Sequence, residues 1–352
     1  MLSVVTLDDI EKWNRIVKSF KNFDIYYLAE YTVPFKDYGD GEPLLFYYKT
    51  ENFKAINVVM KRDIENDSNF RGKIAKGSYY DLTTPYGYGG FLVEGDSSAE
   101  NLKLLDDEYT KFCKNKGIIS EIVRFHPVLN NVSAVNSIYE TIKLGKTVTI
   151  SLTSKEDIYS NLNGNKKRWI KKAINQGVKI YWGRTPELFD EFRKMYINTM
   201  KENNAKDYYF FNNNFFQSIL ENMKYQVMIF YSLYKGKKIS MILVLHGNNQ
   251  IHHHFSASER TYHHLATTNL LMYEVACWGY ENGYKNFHLG GGVGSREDSL
   301  YKFKEGFNKK SNTQFSIGKK IFDHNRYQEL VEIRKLDKNF LENELFFPSY
   351  RQ

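Results

Sequence analysis

The sequence predicts an α/β (α+β) protein of two tandem domains, each a mixed, mostly antiparallel sheet flanked by helices. Three observations carry this expectation. The 352 residues exceed one compact core and suffice for two of ordinary size. Stretches with apolar residues at helical spacing are interspersed with short alternating stretches of strand type. Beyond about residue 150 the pattern restarts behind a fresh helix-start signal, so the division is drawn near 145–150, giving domains 1–148 and 149–352.

In the first domain, residues 7–20 place Ile10, Trp13, Ile16, Val17 and Phe20 on one helical face, with Asp8 and Asp9 in the first turn. Residues 43–48 and 54–60 read as strands, 99–116 as a helix closed by Gly117, and 118–125 as a further strand. In the second, 147–152 is a strand, and Ser154 with Asp157 marks a helix start. Helices follow over 155–161, 166–176 and 186–203, with a strand over 178–183. A hairpin joins 228–234 to 239–246, and the turn at Gly247, Asn248 and Asn249 leads into strand 251–256. The chain then alternates: helix 267–282, strand 285–289, helix 298–307 and strand 314–322.

Net charge is +8 and the pI is near 9.0, which favours anionic partners such as phosphates, nucleotides, RNA or an anionic membrane face. The densest basic run is Lys166-Lys167-Arg168 with Lys171-Lys172, and Lys302, Lys304, Lys309 and Lys310 form a second; each reads either as a solvated face or as an anion site. The 27 Tyr and 25 Phe suggest aromatic-lined clefts, or simply a biased composition. Two distant cysteines, Cys113 and Cys277, exclude a disulfide framework and give no metal-ligand spacing, so no metal is expected. The first residues lack a signal-peptide pattern and no stretch has the length of a membrane span, which predicts a soluble cytoplasmic protein able to touch the membrane surface.

Five segments, in this order, resemble the Fem-type aminoacyl transferases of the GNAT superfamily. They are Thr84-Pro85-Tyr86-Gly87-Tyr88-Gly89-Gly90, Arg124-Phe125-His126-Pro127, Lys167-Arg168-Trp169-Ile170-Lys171-Lys172-Ala173, Tyr208-Tyr209-Phe210-Phe211, and His288-Leu289-Gly290-Gly291-Gly292 with Asp298 to Lys304. The resemblance implies two GNAT-like domains and transfer of an aminoacyl group from aminoacyl-tRNA to an amine of a peptidoglycan precursor. It also implies a relative using another acyl donor on nucleotide- or lipid-linked amino sugars. No cofactor is expected to be tightly bound; the donor cosubstrate is aminoacyl-tRNA or acyl-CoA. The chain departs from the pattern twice. It has no coiled-coil arm, and residues 259–266 (ERTYHHLA) stand where acetyl-CoA enzymes carry a Q/R-x-x-G-x-G/A loop.

Acyl transfer to an amine needs a placed donor carbonyl, a neutral amine and a group to stabilise the oxyanion, but no covalent nucleophile. No G-x-S-x-G elbow is present, which favours direct transfer. The resemblance puts Phe303 and Lys304 on the donor side, with the ammonium near the donor carbonyl. On a regular strand His252 and His254 share a face and His253 points away. His254 with Ser256 can then accept the amine proton, the alternative being ordinary core histidines. Arg124 and His126, at a strand end, are candidates for the acceptor's phosphate or carboxylate, or for an inter-domain salt bridge. Arg168 is a second phosphate candidate, Tyr86 and Tyr88 can stack on a sugar or base, and Gly291 can cradle an anion. Tyr209, beside Tyr208, is a further substrate contact or a rim aromatic. A non-catalytic RNA-binding relative is the rival outside enzymes, and it predicts steep salt dependence without turnover.

Overall fold

The computed structural model describes residues 1–352 except 339, 342, 344 and 345, and forms two compact units: Met1–Leu144 with Phe315–Gln352, and Gly145–Gln314. The first unit contains strands β1 (Leu2–Val5), β2 (Glu42–Lys49), β3 (Phe53–Asp63), β4 (Tyr80–Thr83), β5 (Leu92–Gly95) and β6 (Ile118–Arg124). They run in the order β1-β2-β3-β4-β6, with β5 on β3 and the chain's last strand, Thr313–Ile321, beyond β6. Only β4 and β6 pair parallel; the other pairs are antiparallel.

Helix Ala99–Asn115 starts where the Ser98 hydroxyl accepts from the Asn101 amide. Its face of Leu105, Tyr109 and Cys113 joins Phe46, Ala55, Val59 and Leu82 of the sheet in one core. Asn57 and Tyr139 donate to a buried carboxylate there, Glu121, at 2.8 and 2.9 Å. Burial raises the Glu121 pKa, and those donors hold it down in part. Helix Ala29–Tyr38 has no counterpart in the sequence reading. It is buried on several sides, at Ala29, Tyr31, Thr32, Pro34 and Phe35, so it lacks a single apolar stripe, and Pro34 reads locally as a breaker.

The second unit is built on β7 (Glu140–Ser151), β8 (Lys179–Gly183), β9 (Val227–Tyr234), β10 (Lys237–Gly247), β11 (Gln250–Ser258) and β12 (Asn286–Gly290), ordered β7-β12-β11-β10-β9-β8. The last strand of the chain is β13. Two-residue turns make the hairpins: Lys235 and Gly236, then Asn248 and Asn249, all have positive φ. That twist matches the strands they join. Helices Gly164–Asn175 and Thr267–Glu281 cover the sheet through Ile170, Ala173, Leu271, Met272 and Val275. Gly279 permits the close approach, because a Cβ there would run into the side chains of Ile251 and Leu152.

The sequence division gives 149–352 to the second domain, whereas residues from Phe315 onward pack with the first unit. Two remote interactions account for this. Residues Ile317–Ile321 pair antiparallel with Ser120–Arg124. Arg351 forks onto the buried Asp81 carboxylate, which also accepts from Arg62 Nε at 2.7 Å and the Tyr350 hydroxyl at 3.2 Å. Neither leaves a mark in the local pattern. Burial alone would raise the Asp81 carboxyl, but Arg62 and Arg351 outweigh it and hold the carboxyl below its ordinary value.

A depressed native pKa stabilises the fold above the unfolded value near pH ~4 and stops doing so as pH falls through the native one. Asp81→Asn is therefore expected to cost about 3–5 kcal/mol in urea denaturation at pH 7. The difference from the parent should shrink below pH ~4. Equal stability at pH 7 would show that Arg351 does not clasp the unit.

Candidate active site

Parallel pairing between β11 and β12 covers only Gln250–His252 against Asn286–His288. Beyond that, β11 continues to Ser258 while β12 ends at Gly290. The next residues of the two strands are therefore unpaired with each other. On its other edge β11 has a bulge: Leu243 faces Phe255 and Val244 faces His253, with His254 the additional residue. The bulge breaks the alternation on which the pairing of His252 with His254 rested.

The ring of His253 is held by a hydrogen bond to the backbone of Leu289. Its Nε2 is buried and has no hydrogen-bond partner. Burial and then the charge of Lys304 lower the His253 pKa to about 3, so the ring is neutral. His254 lies against the Phe255 ring at 4.1 Å, and burial, then His252 and His253, keep it neutral as well. His288 meets the Thr149 hydroxyl at 2.9 Å through Nδ1.

Lys304 lies near the end of the short helix Ser299–Glu305. Asp298 starts that helix by accepting from the Tyr301 amide at 2.9 Å, and its second oxygen accepts from the Val293 amide at 3.0 Å. One carboxylate thus ties the helix to the turn that follows β12. A Cβ at Gly292 would collide with Asp298 and with the Arg296 carbonyl. Lys304 is 7% exposed, and its Nζ donates to the Gly291 carbonyl at 2.7 Å. Burial lowers its pKa to about 8, with Asp298 opposing, so the group is mostly an ammonium at neutral pH.

The neighbouring Phe303 ring receives Lys166 Nζ at 3.3 Å from its centroid, and Phe307 receives it at 4.3 Å. Lys166 also donates to Asn269 Oδ1 at 2.7 Å, and burial brings its pKa to about 7. Asn269 belongs to the first turn of helix Thr267–Glu281. That helix starts at Ala266, with φ of 55° and no side-chain cap. Residues Arg260–Leu265 before it form a 3-10 turn, so an alanine takes the left-handed position a glycine would serve more cheaply.

Three other expected residues share one cluster in the first unit. Arg124 is exposed; its Nε donates to the Gly87 carbonyl at 2.9 Å and its guanidinium lies 5.1 Å from the Phe315 ring. His126 is buried and takes the Leu129 amide on Nδ1 at 3.2 Å. The ring proton therefore lies on Nε2, 3.3 Å from Asp24 Oδ2. Tyr26 and Tyr88 lie 5.8 and 5.6 Å from the same ring, and Tyr86 stacks on Phe35 at 5.8 Å. Gly87 is required here: its φ is +105°, and a Cβ would lie 2.5 Å from the Tyr26 ring.

Arg168 is exposed and lies over its neighbour Trp169, while the buried member of the basic run is Lys166. Tyr209 ends the turn Asp207–Tyr209, 5.5 Å from the Tyr208 ring. Ser256 faces Ile242 across β10 and β11. A surface cleft of about 540 Å³, lined in part by Glu191, Lys194, Glu259 and Arg260, contains none of the expected residues. Lys166, Asn269, His253 and Asp298 were not singled out as site residues. Asp298 was findable as an N-cap before Ser299; the other three depend on tertiary neighbours.

Residues 161–304 match the family model of the acetyltransferase (GNAT) domain. No curated protein matches the sequence significantly. Among solved structures, FemX aligns with a TM-score of 0.67 at 11% identity, over 93% of this chain and 99% of that chain. A conserved protein of unknown function from Bacteroides thetaiotaomicron aligns at 0.57 and 12%, over 91% and 99%. The C-terminal domain of a protein described as a lysylphosphatidylglycerol synthetase from Agrobacterium fabrum aligns at 0.54 and 13%, over 94% and 96%. At these identities the likeness is one of fold. Residues 161–304 thus carry a GNAT acetyltransferase domain, and most of the chain has a fold like that of FemX.

Proposed function

We propose that the protein transfers an acyl or aminoacyl group directly to an amine of a cell-envelope precursor, either a peptidoglycan peptide or a nucleotide- or lipid-linked amino sugar. The observation that carries this is the buried Lys304 ammonium fixed on the Gly291 carbonyl, where β11 and β12 cease to pair. One of its three N–H groups is used there, leaving the others for a developing oxyanion. A pKa of about 8 suits that role better than a nucleophile's, since the ammonium prevails at neutral pH.

Tyr86, Arg124 and His126 are the groups we assign to the acceptor, with the Arg124 guanidinium offered to its phosphate or carboxylate. Arg168 and the exposed lysines of the same helix suit a polyanion such as tRNA or an anionic membrane surface. Aminoacyl-tRNA and acyl-CoA are both cytoplasmic donors, and we place the reaction in that compartment. Among the described residues no helix is long and apolar enough to cross a membrane.

A second reading is an acyl-CoA-dependent N-acetyltransferase of surface-polysaccharide amino sugars. The GNAT domain match favours it, as does Lys166 beside the helix start at Ala266, where a donor phosphate would find a cation and helix amides.

Radiolabel transfer with purified protein separates the readings. Charged tRNA as the productive donor, with a peptidoglycan-type acceptor, is the outcome expected of the first; turnover with an acyl-CoA selects the second. RNA binding with steep salt dependence and no turnover with either donor would replace both.

Lys304→Met should lower kcat by about 10²–10³ without loss of thermal stability. The parent carries a penalty for burying the ammonium that is full below pH 8 and is relieved as pH rises from about 8 towards 10.5. Any Tm advantage of the Met variant should shrink across that interval. A variant with full activity would remove Lys304 from the reaction. Arg124→Ala should raise the acceptor KM about tenfold with kcat little changed, as expected for one lost charge-assisted contact.

A further inference from the structure

We propose that His253, through Nε2, takes the proton from the attacking amine and returns it to the leaving group. This deepens the transferase reading and rests on it. The argument starts from hydrogen bonding. The His253 ring is bound to the Leu289 backbone, and Nε2 is buried without a partner. The bond to Leu289 therefore belongs to the other ring nitrogen. It raises the affinity of the ring for its proton, as a carbonyl acceptor does, so Nδ1 carries the hydrogen and Nε2 the lone pair. A buried acceptor left unmatched costs stability, and such groups mark places where a ligand supplies the missing donor.

The location agrees. Leu289 anchors His253, and Gly291, two residues along the same chain, anchors Lys304 Nζ. The candidate proton acceptor and the candidate oxyanion donor are thus held to one short segment. His254, the residue the sequence pattern favours, is coupled to His252 and His253 and packs on Phe255.

The step balances without a co-reactant. The amine lone pair forms the C–N bond to the donor carbonyl, whose π electrons move to oxygen and face Lys304. The proton on nitrogen passes to Nε2. Collapse re-forms the carbonyl and breaks the C–O bond of an ester donor or the C–S bond of a thioester. The proton on Nε2 then goes to the departing oxygen or sulfur. The low basicity of His253 belongs to the free enzyme. The oxyanion offsets the Lys304 charge that suppresses protonation, and the amine grows strongly acidic as the C–N bond forms.

The test compares His253→Asn, His253→Ala and His254→Ala in the radiolabel transfer assay, with the donor and acceptor on which the parent is active. Asn can keep a donor towards Leu289 while removing Nε2. The expected result is a kcat loss of about 10²–10⁴ in both His253 variants, with KM within about twofold. Added imidazole should restore at least about tenfold of the rate to His253→Ala only, a response that a structural role would not give. His254→Ala should keep most of the activity. A His253→Asn enzyme near parental rate, or imidazole rescue confined to His254→Ala, overturns the assignment and leaves the transferase reading intact. A parent inactive with every donor overturns both.

Discussion

The short parallel contact between β11 and β12 is the constraint on which the candidate site of the second unit depends. Three residues of each strand pair, and then the strands part company. Where a ladder stops, its backbone groups must find other partners. Here those partners are side chains with reactive heads: Lys304 on the Gly291 carbonyl, and His253 on the backbone of Leu289. The same gap that removes sheet hydrogen bonds thereby orients an ammonium and an imidazole. Asp298 completes the arrangement by capping the helix of Lys304 and holding the turn behind β12.

The two units bury charge in different ways. In the first, Arg62 and Arg351 hold the Asp81 pKa down, whereas Glu121 has the neutral donors Asn57 and Tyr139 and its pKa stays raised. In the second, Lys304 and Lys166 are bound to neutral acceptors, a carbonyl and an amide oxygen, and burial drags both pKa values down. Neutral partners cannot offset the desolvation of an ammonium as a carboxylate would. An uncompensated cation is costly for stability and useful to a reaction that develops negative charge.

Much of the architecture was legible in the sequence because it is local. The hairpin turns need residues that tolerate positive φ, and Lys235-Gly236 and Asn248-Asn249 announce them. The helix beginning after Ser154 and the one ending before Gly177 carry their own start and stop signals. The order of strand and helix in 227–321 follows from such marks, whereas helix Asn213–Asn222 has no counterpart in the sequence reading.

What the tertiary structure decided are the features whose causes lie far apart in the chain. Helix Ala29–Tyr38 is hidden because it is apolar on several sides, so its period is erased by burial. The return of the C-terminal segment to the first unit rests on Arg351 reaching Asp81, a pairing 270 residues apart. The choice between His253 and His254 hangs on one bulge residue in β11, and a one-residue slip reverses which side chain faces which way. Lys166 was visible as one basic residue in a run, but only its neighbours Phe303 and Asn269 make it a buried cation. Sequence alone determined the elements and the residue types at strand ends, because propensity and turn chemistry act over a few residues. Burial and register, which set the charge and orientation of those residues, are properties of contacts between distant segments.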